Sequence, residues 1–260
     1  MTNVCRNLFL LSVVLCLGPT AAWASSVIVN TGLSLTELQI SPATGTLDVL
    51  SPVTVSTYAE ALDSSGGFDD SASNPANAAD STLATASGAG SGSALTGSVT
   101  ANINLPDSFN GFGSSTGQSS LSGSFQIIST SSSPIDVTLS AALSGSQFLQ
   151  TTGNGVLATS EIIFTLLLPD LSASPILALD NPLSIGPGSE TNAPYSSTLT
   201  TSVSLSPNTD YSFVVSLDAE SEGVSITPEP SSLSLVLTSV GLLAVLGRRL
   251  TSKRNPDRRG

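Results

Sequence analysis

Between Ser25 and Thr227 this chain has no lysine, arginine, histidine, cysteine, methionine or tryptophan. Of its 19 Asp and Glu residues, all but Glu229 and Asp257 lie in that stretch, which makes the segment purely anionic. It therefore cannot form a side-chain salt bridge. Each carboxylate must be solvated, hydrogen-bonded or bound to a cation. A segment without cations cannot neutralise phosphates, which excludes nucleic acid as a partner. The lack of His, Cys and Lys removes the usual general bases and activated nucleophiles, so no enzyme activity is expected. A carboxylate pair alone can run glycoside hydrolysis. Such sites normally carry aromatic platforms, however, and here there are only Tyr58, Tyr195 and Tyr211 and no Trp. With no Cys there are no disulfides, and stability must come from packing.

The missing residue types sit at the two ends. All seven basic residues are terminal: Arg6, Arg248, Arg249, Lys253, Arg254, Arg258 and Arg259. Residues 1–24 read as a secretory signal peptide. Arg6 and the α-amine make the positive start, Leu8–Leu17 is the apolar region, and Ala22 and Ala24 are the small residues that direct cleavage before Ser25. At the other end Pro228-Glu229-Pro230 precedes an apolar run over 231–247, followed by Arg248 and Arg249. As a helix that run spans about 26 Å, slightly short of a hydrocarbon core of roughly 30 Å, so it is a marginal membrane span. The basic residues behind it stay on the cytoplasmic side, which places the body outside. The prolines keep the approach extended.

These residues closely resemble the PEP-CTERM sorting signal of Gram-negative bacteria, here 228–254 with a polar tail at 255–260. The tail after Arg249 is longer than the usual short basic end. The resemblance implies that an exosortase processes the chain at or near Pro228, Glu229 and Pro230, with Arg248 and Arg249 as stop-transfer charges. It further implies export through the Sec translocon, trimming by signal peptidase, and transient anchoring in the inner membrane. Release to the cell surface or extracellular space would follow, in the setting of exopolysaccharide and biofilm. An ordinary tail anchor that is never cut is the alternative for the tail. For the body, the alternative to a non-enzymatic surface or matrix protein is a carbohydrate- or ligand-binding module.

The body, 25–227, is dominated by a period of two. Leu33 and Leu35, then Leu38 and Ile40 after a one-residue slip, alternate with polar residues. Val99 to Leu105, Leu121 to Ile127, Ile135 to Ala141, Leu199 to Leu205 and Tyr211 to Leu217 do the same. Such runs predict antiparallel strands with one face buried and one wet. The fold expected is mainly β, an antiparallel β-sandwich of jelly-roll or fibronectin/immunoglobulin-like kind. The stretch Leu205-x-Pro207-x-Thr209-x-Tyr211 resembles the corner before a late strand of fibronectin type III domains, where a tyrosine hydroxyl bonds back to the backbone. Glu161–Leu168 is more continuously apolar and reads as a strand buried on both faces. Residues 66–92 and 110–119, rich in Gly and Ser, read as loops, and Tyr58–Leu62 and Asn77–Ala86 as the only tolerable helices.

Two acidic groups could hold Ca²⁺, which takes hard oxygen ligands. They are Asp69-Asp70 and the triplet Asp218, Glu220 and Glu222, which strand periodicity puts on one face. Neither lies in an Asp-x-Asp-x-Asp-Gly loop, so solvated charge is the first expectation and no cofactor is required. Acidic repulsion between copies, screened by cations, is a further expectation for such a body.

Overall fold

A chain in which every second residue is apolar buries one sheet face and wets the other. The computed structural model describes residues 25–225, apart from 50–52, 65, 71–75, 81–82, 93, 108 and 154. The described residues form thirteen strands and no helix. They are β1 (Ser26–Pro42), β2 (Thr46–Val49), β3 (Thr54–Asp63), β4 (Gly66–Asp70), β5 (Ala76–Asp80), β6 (Ala84–Ser91) and β7 (Thr96–Leu105). After these come β8 (Gly111–Ile128), β9 (Ile135–Thr152), β10 (Val156–Leu167), β11 (Leu177–Ile185), β12 (Glu190–Leu205) and β13 (Asp210–Ser225).

The strands make two antiparallel sheets. The first has the order β12-β9-β1-β7-β6-β5; the second runs β11-β10-β13-β8-β3-β4, with β2 also on β8. The inner faces meet: β1 lies against β13 and β10, β7 against β8 and β13, and β6 against β3 and β8. The one-residue slip in β1 is a bulge. Its register on β9 shifts between Leu35 and Glu37, which turns Leu38 and Ile40 back to the inside.

The larger core cluster holds the long side chains, among them Leu33, Leu35, Leu121, Phe125, Ile162, Phe164 and Phe213. Burying each of these contributes roughly 1.5–3 kcal/mol relative to leaving it exposed. Phe125 packs on Tyr211 and Phe213 with ring centroids 5.9 and 6.4 Å away. Tyr211 is 7% exposed and its hydroxyl accepts the Ser206 N–H at 2.9 Å, the bond expected of the corner before β13. A second cluster combines alanines of β3, β5, β6 and β10 with Val27, Val29, Ile103, Leu105, Leu149 and Val156.

Three expectations need correction. Residues 66–92 are not a loop, since they contain β4, β5 and β6; residues 111–119 begin β8. Tyr58–Leu62 lies in β3 and Asn77–Ala86 spans parts of β5 and β6, so neither is helical. The common cause is close approach of the two sheets. A Cβ on Gly117 of β8 would collide with the carbonyl oxygens of Ser87 and Thr100, and one on Gly88 of β6 with the Gln118 carbonyl. Only Gly, Ala and Ser fit inside there, and those residues carry the composition of a loop. Finally, Glu161–Leu168 is not buried on both faces. Ile162, Phe164, Leu166 and Leu168 point inward, whereas Ile163, Thr165 and Leu167 are half-buried on the outer face.

Candidate functional site

The residues expected to direct export lie mostly outside the described residues: Ala22, Ala24, Pro228, Glu229, Pro230, the apolar run 231–247, Arg248 and Arg249. Ser25 is described. It is fully buried, and its Oγ lies 3.0 Å from Ser225 Oγ, which also donates to the Ser25 carbonyl at 3.2 Å. The first strand and the last strand of the body thus begin and end at one point.

The acidic triplet occupies β13 as strand periodicity requires, with Asp218, Glu220 and Glu222 all on the outer face of the second sheet. The register adds carboxylates that no local pattern announces. Glu161 of β10 lies directly opposite Glu220, and Asp180 of β11 reaches Glu161. Glu60 of β3 lies one strand beyond, across Thr116 of β8. A like-charged pair directly opposite in an antiparallel ladder is destabilising. Burial raises the Glu161 carboxyl above its ordinary range, with help from its hydrogen bond to Asp180 and the charges of Asp180 and Glu220. Burial also raises Asp218, against hydrogen bonds from Ser216 and Gln118 that pull it down. Glu220 is raised by burial and then by the charges of Asp218 and Glu222.

A shallow groove of about 440 Å³ runs beside them, lined by Glu161, Glu220, Glu222 and Pro182 among others, with no aromatic ring in its lining. Alternate residues along one strand are about 6.8 Å apart, so the triplet fans out rather than converging. Among the described residues no three Asp, Glu, His or Cys lie close enough to hold a metal ion. Asp69 and Asp70 fall in β4, not in a loop; their side chains lie outside the described residues. Among the described residues the cluster is thus a row of like charges along one face, with Glu161, Asp218 and Glu220 raised by partial burial and, for the two glutamates, by neighbouring carboxylates.

Inside the body, a polar layer crosses the core between the two apolar clusters. Thr31 Oγ1 is 2.6 Å from Ser160 Oγ and 2.7 Å from Ser221 Oγ, and Ser221 donates to the Ala101 carbonyl at 2.9 Å. Gln147, fully buried, donates from Nε2 to Ser160 O, Ser160 Oγ and Asn181 O at 3.2, 3.1 and 2.9 Å. Its Oε1 accepts from Asn181 Nδ2 at 3.1 Å. Each hydroxyl is spent on another protein group, so the layer fixes strand register and leaves no free nucleophile there. Among the described residues one buried side-chain oxygen has no partner, the Oγ of Ser119.

The outer face of the first sheet differs in kind. It presents Ser87, Thr100, Thr85, Asn102, Ser140 and Thr200, several joined by hydroxyl contacts such as Ser87–Thr100 at 2.7 Å. The half-buried Phe148 stands between Asn30 and Asn192 on that face, without a second ring beside it. Comparison with known proteins gives no family model, no curated protein and no solved structure that matches this chain.

Proposed function

We propose that this is an exported, non-enzymatic cell-surface or extracellular-matrix protein of the exosortase-sorted kind, whose body is an antiparallel β-sandwich. The signal peptide 1–24 is removed at Ser25, the helix 231–247 holds the body at the inner membrane, and an exosortase acts near Pro228–Pro230. The product works among exopolysaccharide. One observation carries this reading: Pro-Glu-Pro, an apolar run and an arginine pair follow in that order behind a signal peptide, and every cation of the chain falls in these end segments. The Tyr211 corner supports a fibronectin-like element at the end of the sandwich. The thirteen described strands exceed the seven to nine of an immunoglobulin domain. Mass spectrometry of the native mature protein tests the proposal. The expected mass begins at Ser25 and ends near Pro228–Pro230; a tail intact through Gly260 makes it a plain tail-anchored protein instead.

A second reading, a carbohydrate- or ligand-binding module, draws on the hydroxyl- and amide-rich outer face of the first sheet. Retention of the chain on exopolysaccharide at physiological salt, lost on changing that face, would favour it.

A further inference from the structure

Edge strands expose unpaired N–H and C=O groups, and proteins guard them with charges, prolines or short length. Three of the four path-end strands here are guarded. β4 is five residues with Asp69 and Asp70, β5 is five residues with Asp80, and β11 is nine residues with Asp180 and Pro182. β12 is the exception. It runs sixteen residues, carries one charge at its first position, Glu190, and among the described residues no strand pairs with its outer side.

The direction of its free groups follows from its pairing. Ser189 directs its carbonyl to Thr151 N on β9 at 2.9 Å, so odd-numbered residues of β12 face β9 and even-numbered ones face outward. Pro194 is even-numbered, so its missing N–H falls on the open side and leaves the β9 ladder intact. Asn192, Ser196, Thr198, Thr200, Ser202 and Ser204 offer both backbone groups there. On the inner side Tyr195, Leu199 and Val203 touch the core yet stay half-buried, because β11 covers them only in part.

We propose that β12 is the edge through which two copies of this chain join, antiparallel, into one continuous sheet. A two-fold axis at Thr198 sets Asn192 opposite Ser204, Pro194 opposite Ser202 and Ser196 opposite Thr200. That ladder makes roughly twelve backbone hydrogen bonds, allowing for the two prolines. Charge selects both the strand and its direction. The body has carboxylates and no cation, so most approaches of a second copy bring like charges together. Antiparallel pairing at β12 brings none: each Glu190 falls opposite Ser206 of the other copy, whereas parallel pairing would stack the two Glu190 side chains. An isologous contact of this sort closes on itself and stops at the dimer. The general repulsion between the two anionic bodies remains, and it weakens as the screening length falls from about 30 Å at 0.01 M salt to about 8 Å at 0.15 M.

Sedimentation velocity on the full chain in detergent, at both salt concentrations, tests this. Thr198→Asp places two carboxylates face to face at the axis, and Thr200→Pro deletes an outward donor without touching the ladder to β9. Thr138→Asp, exposed on the outer face of β9, adds the same charge away from the edge. Wild type and Thr138→Asp are expected to dimerise, more so at the higher salt. Both edge variants should raise the half-dimer concentration at least tenfold with unchanged far-ultraviolet circular dichroism; if Thr200→Pro loses its strand signal, Thr198→Asp decides. The proposal is overturned by a wild type that stays monomeric at both salts, by equal dimerisation of all four chains, or by loss of the dimer in Thr138→Asp. It is independent of how the tail is sorted, since every chain compared keeps the same tail.

Discussion

Replacing Gln147 by Leu removes the hub of the polar layer. The side chain is fully buried and joins β9 to β10 and β11 through three donated contacts and one accepted bond. Its two N–H groups serve three acceptors, so the loss amounts to two full donations and one acceptance, about 3 kcal/mol at roughly 1 kcal/mol each. Leucine returns little, because its methyls would face the Ser160 carbonyl and the Asn181 amide, which then lose the contacts they make to Gln147. For a body of about 200 residues each kcal/mol moves the midpoint by 2–4 °C, so the melting temperature should fall by about 6–12 °C. Unpaired partners, not lost volume, are the cause, and a second change isolates them. Gln147→Leu with Asn181→Leu removes the orphaned amide and should recover part of the loss, whereas independent effects would add. Gln150→Leu is the control, since Gln150 bonds Glu190 on the exposed surface at 2.8 Å and should cost under about 0.5 kcal/mol. The assay is thermal and urea unfolding followed by circular dichroism. A Gln147→Leu chain as stable as wild type, or a double variant weaker than the sum of the singles, refutes the reasoning.

Two more outcomes concern the half-buried carboxyls and one buried hydroxyl. Glu161, Asp218 and Glu220 all titrate above their ordinary values in the folded chain, so the folded state takes up protons before the unfolded one and stability should rise as pH falls from neutrality towards those ordinary values. The window closes near the ordinary values of 4.5 and 3.8, where the unfolded chain protonates too. Glu220→Gln should flatten that slope, and a melting temperature that declines steadily from pH 7 to 5 would contradict the assignment. Ser119→Ala should stabilise the fold by about 1 kcal/mol, because it removes a buried hydroxyl without a partner and leaves its volume nearly unchanged. A destabilised Ser119→Ala, read by the same urea titration, would mean that the hydroxyl has a partner.

What was legible in the sequence is what side chains state locally. Leu33, Leu35, Leu38 and Ile40 announce both a strand and its bulge, because the period of two breaks where the register does. Tyr211 announces its corner, because the hydroxyl needs a backbone group five residues back. Asp218, Glu220 and Glu222 share a face by spacing alone. Illegible were the contributions that depend on a distant strand. Glu161 meets Glu220 only through the β10–β13 register, and Gln147 meets Ser160 and Asn181 only after three strands have aligned.

The glycine-rich strands show why composition misleads. A strand is usually recognised by the large residues it buries, yet burial volume is set by the gap between sheets. Where β6 and β8 bring backbone to backbone, the gap admits a hydrogen at Gly88 and Gly117 and a methyl at Ala84 and Ala86. Those strands therefore look like linkers while packing backbone against backbone between the two sheets. The same logic bears on β12 from the opposite side. Its Ser, Thr and Pro residues also look like linker composition, yet they form a long edge strand with little apolar weight and a single charge. Small polar residues in this chain thus mark two opposite circumstances, the closest contact between sheets and the most open edge of one. Depth of burial separates them: β6 buries Ala84, Ala86 and Gly88 fully, whereas the inward positions of β12 stay half-buried up to Leu205.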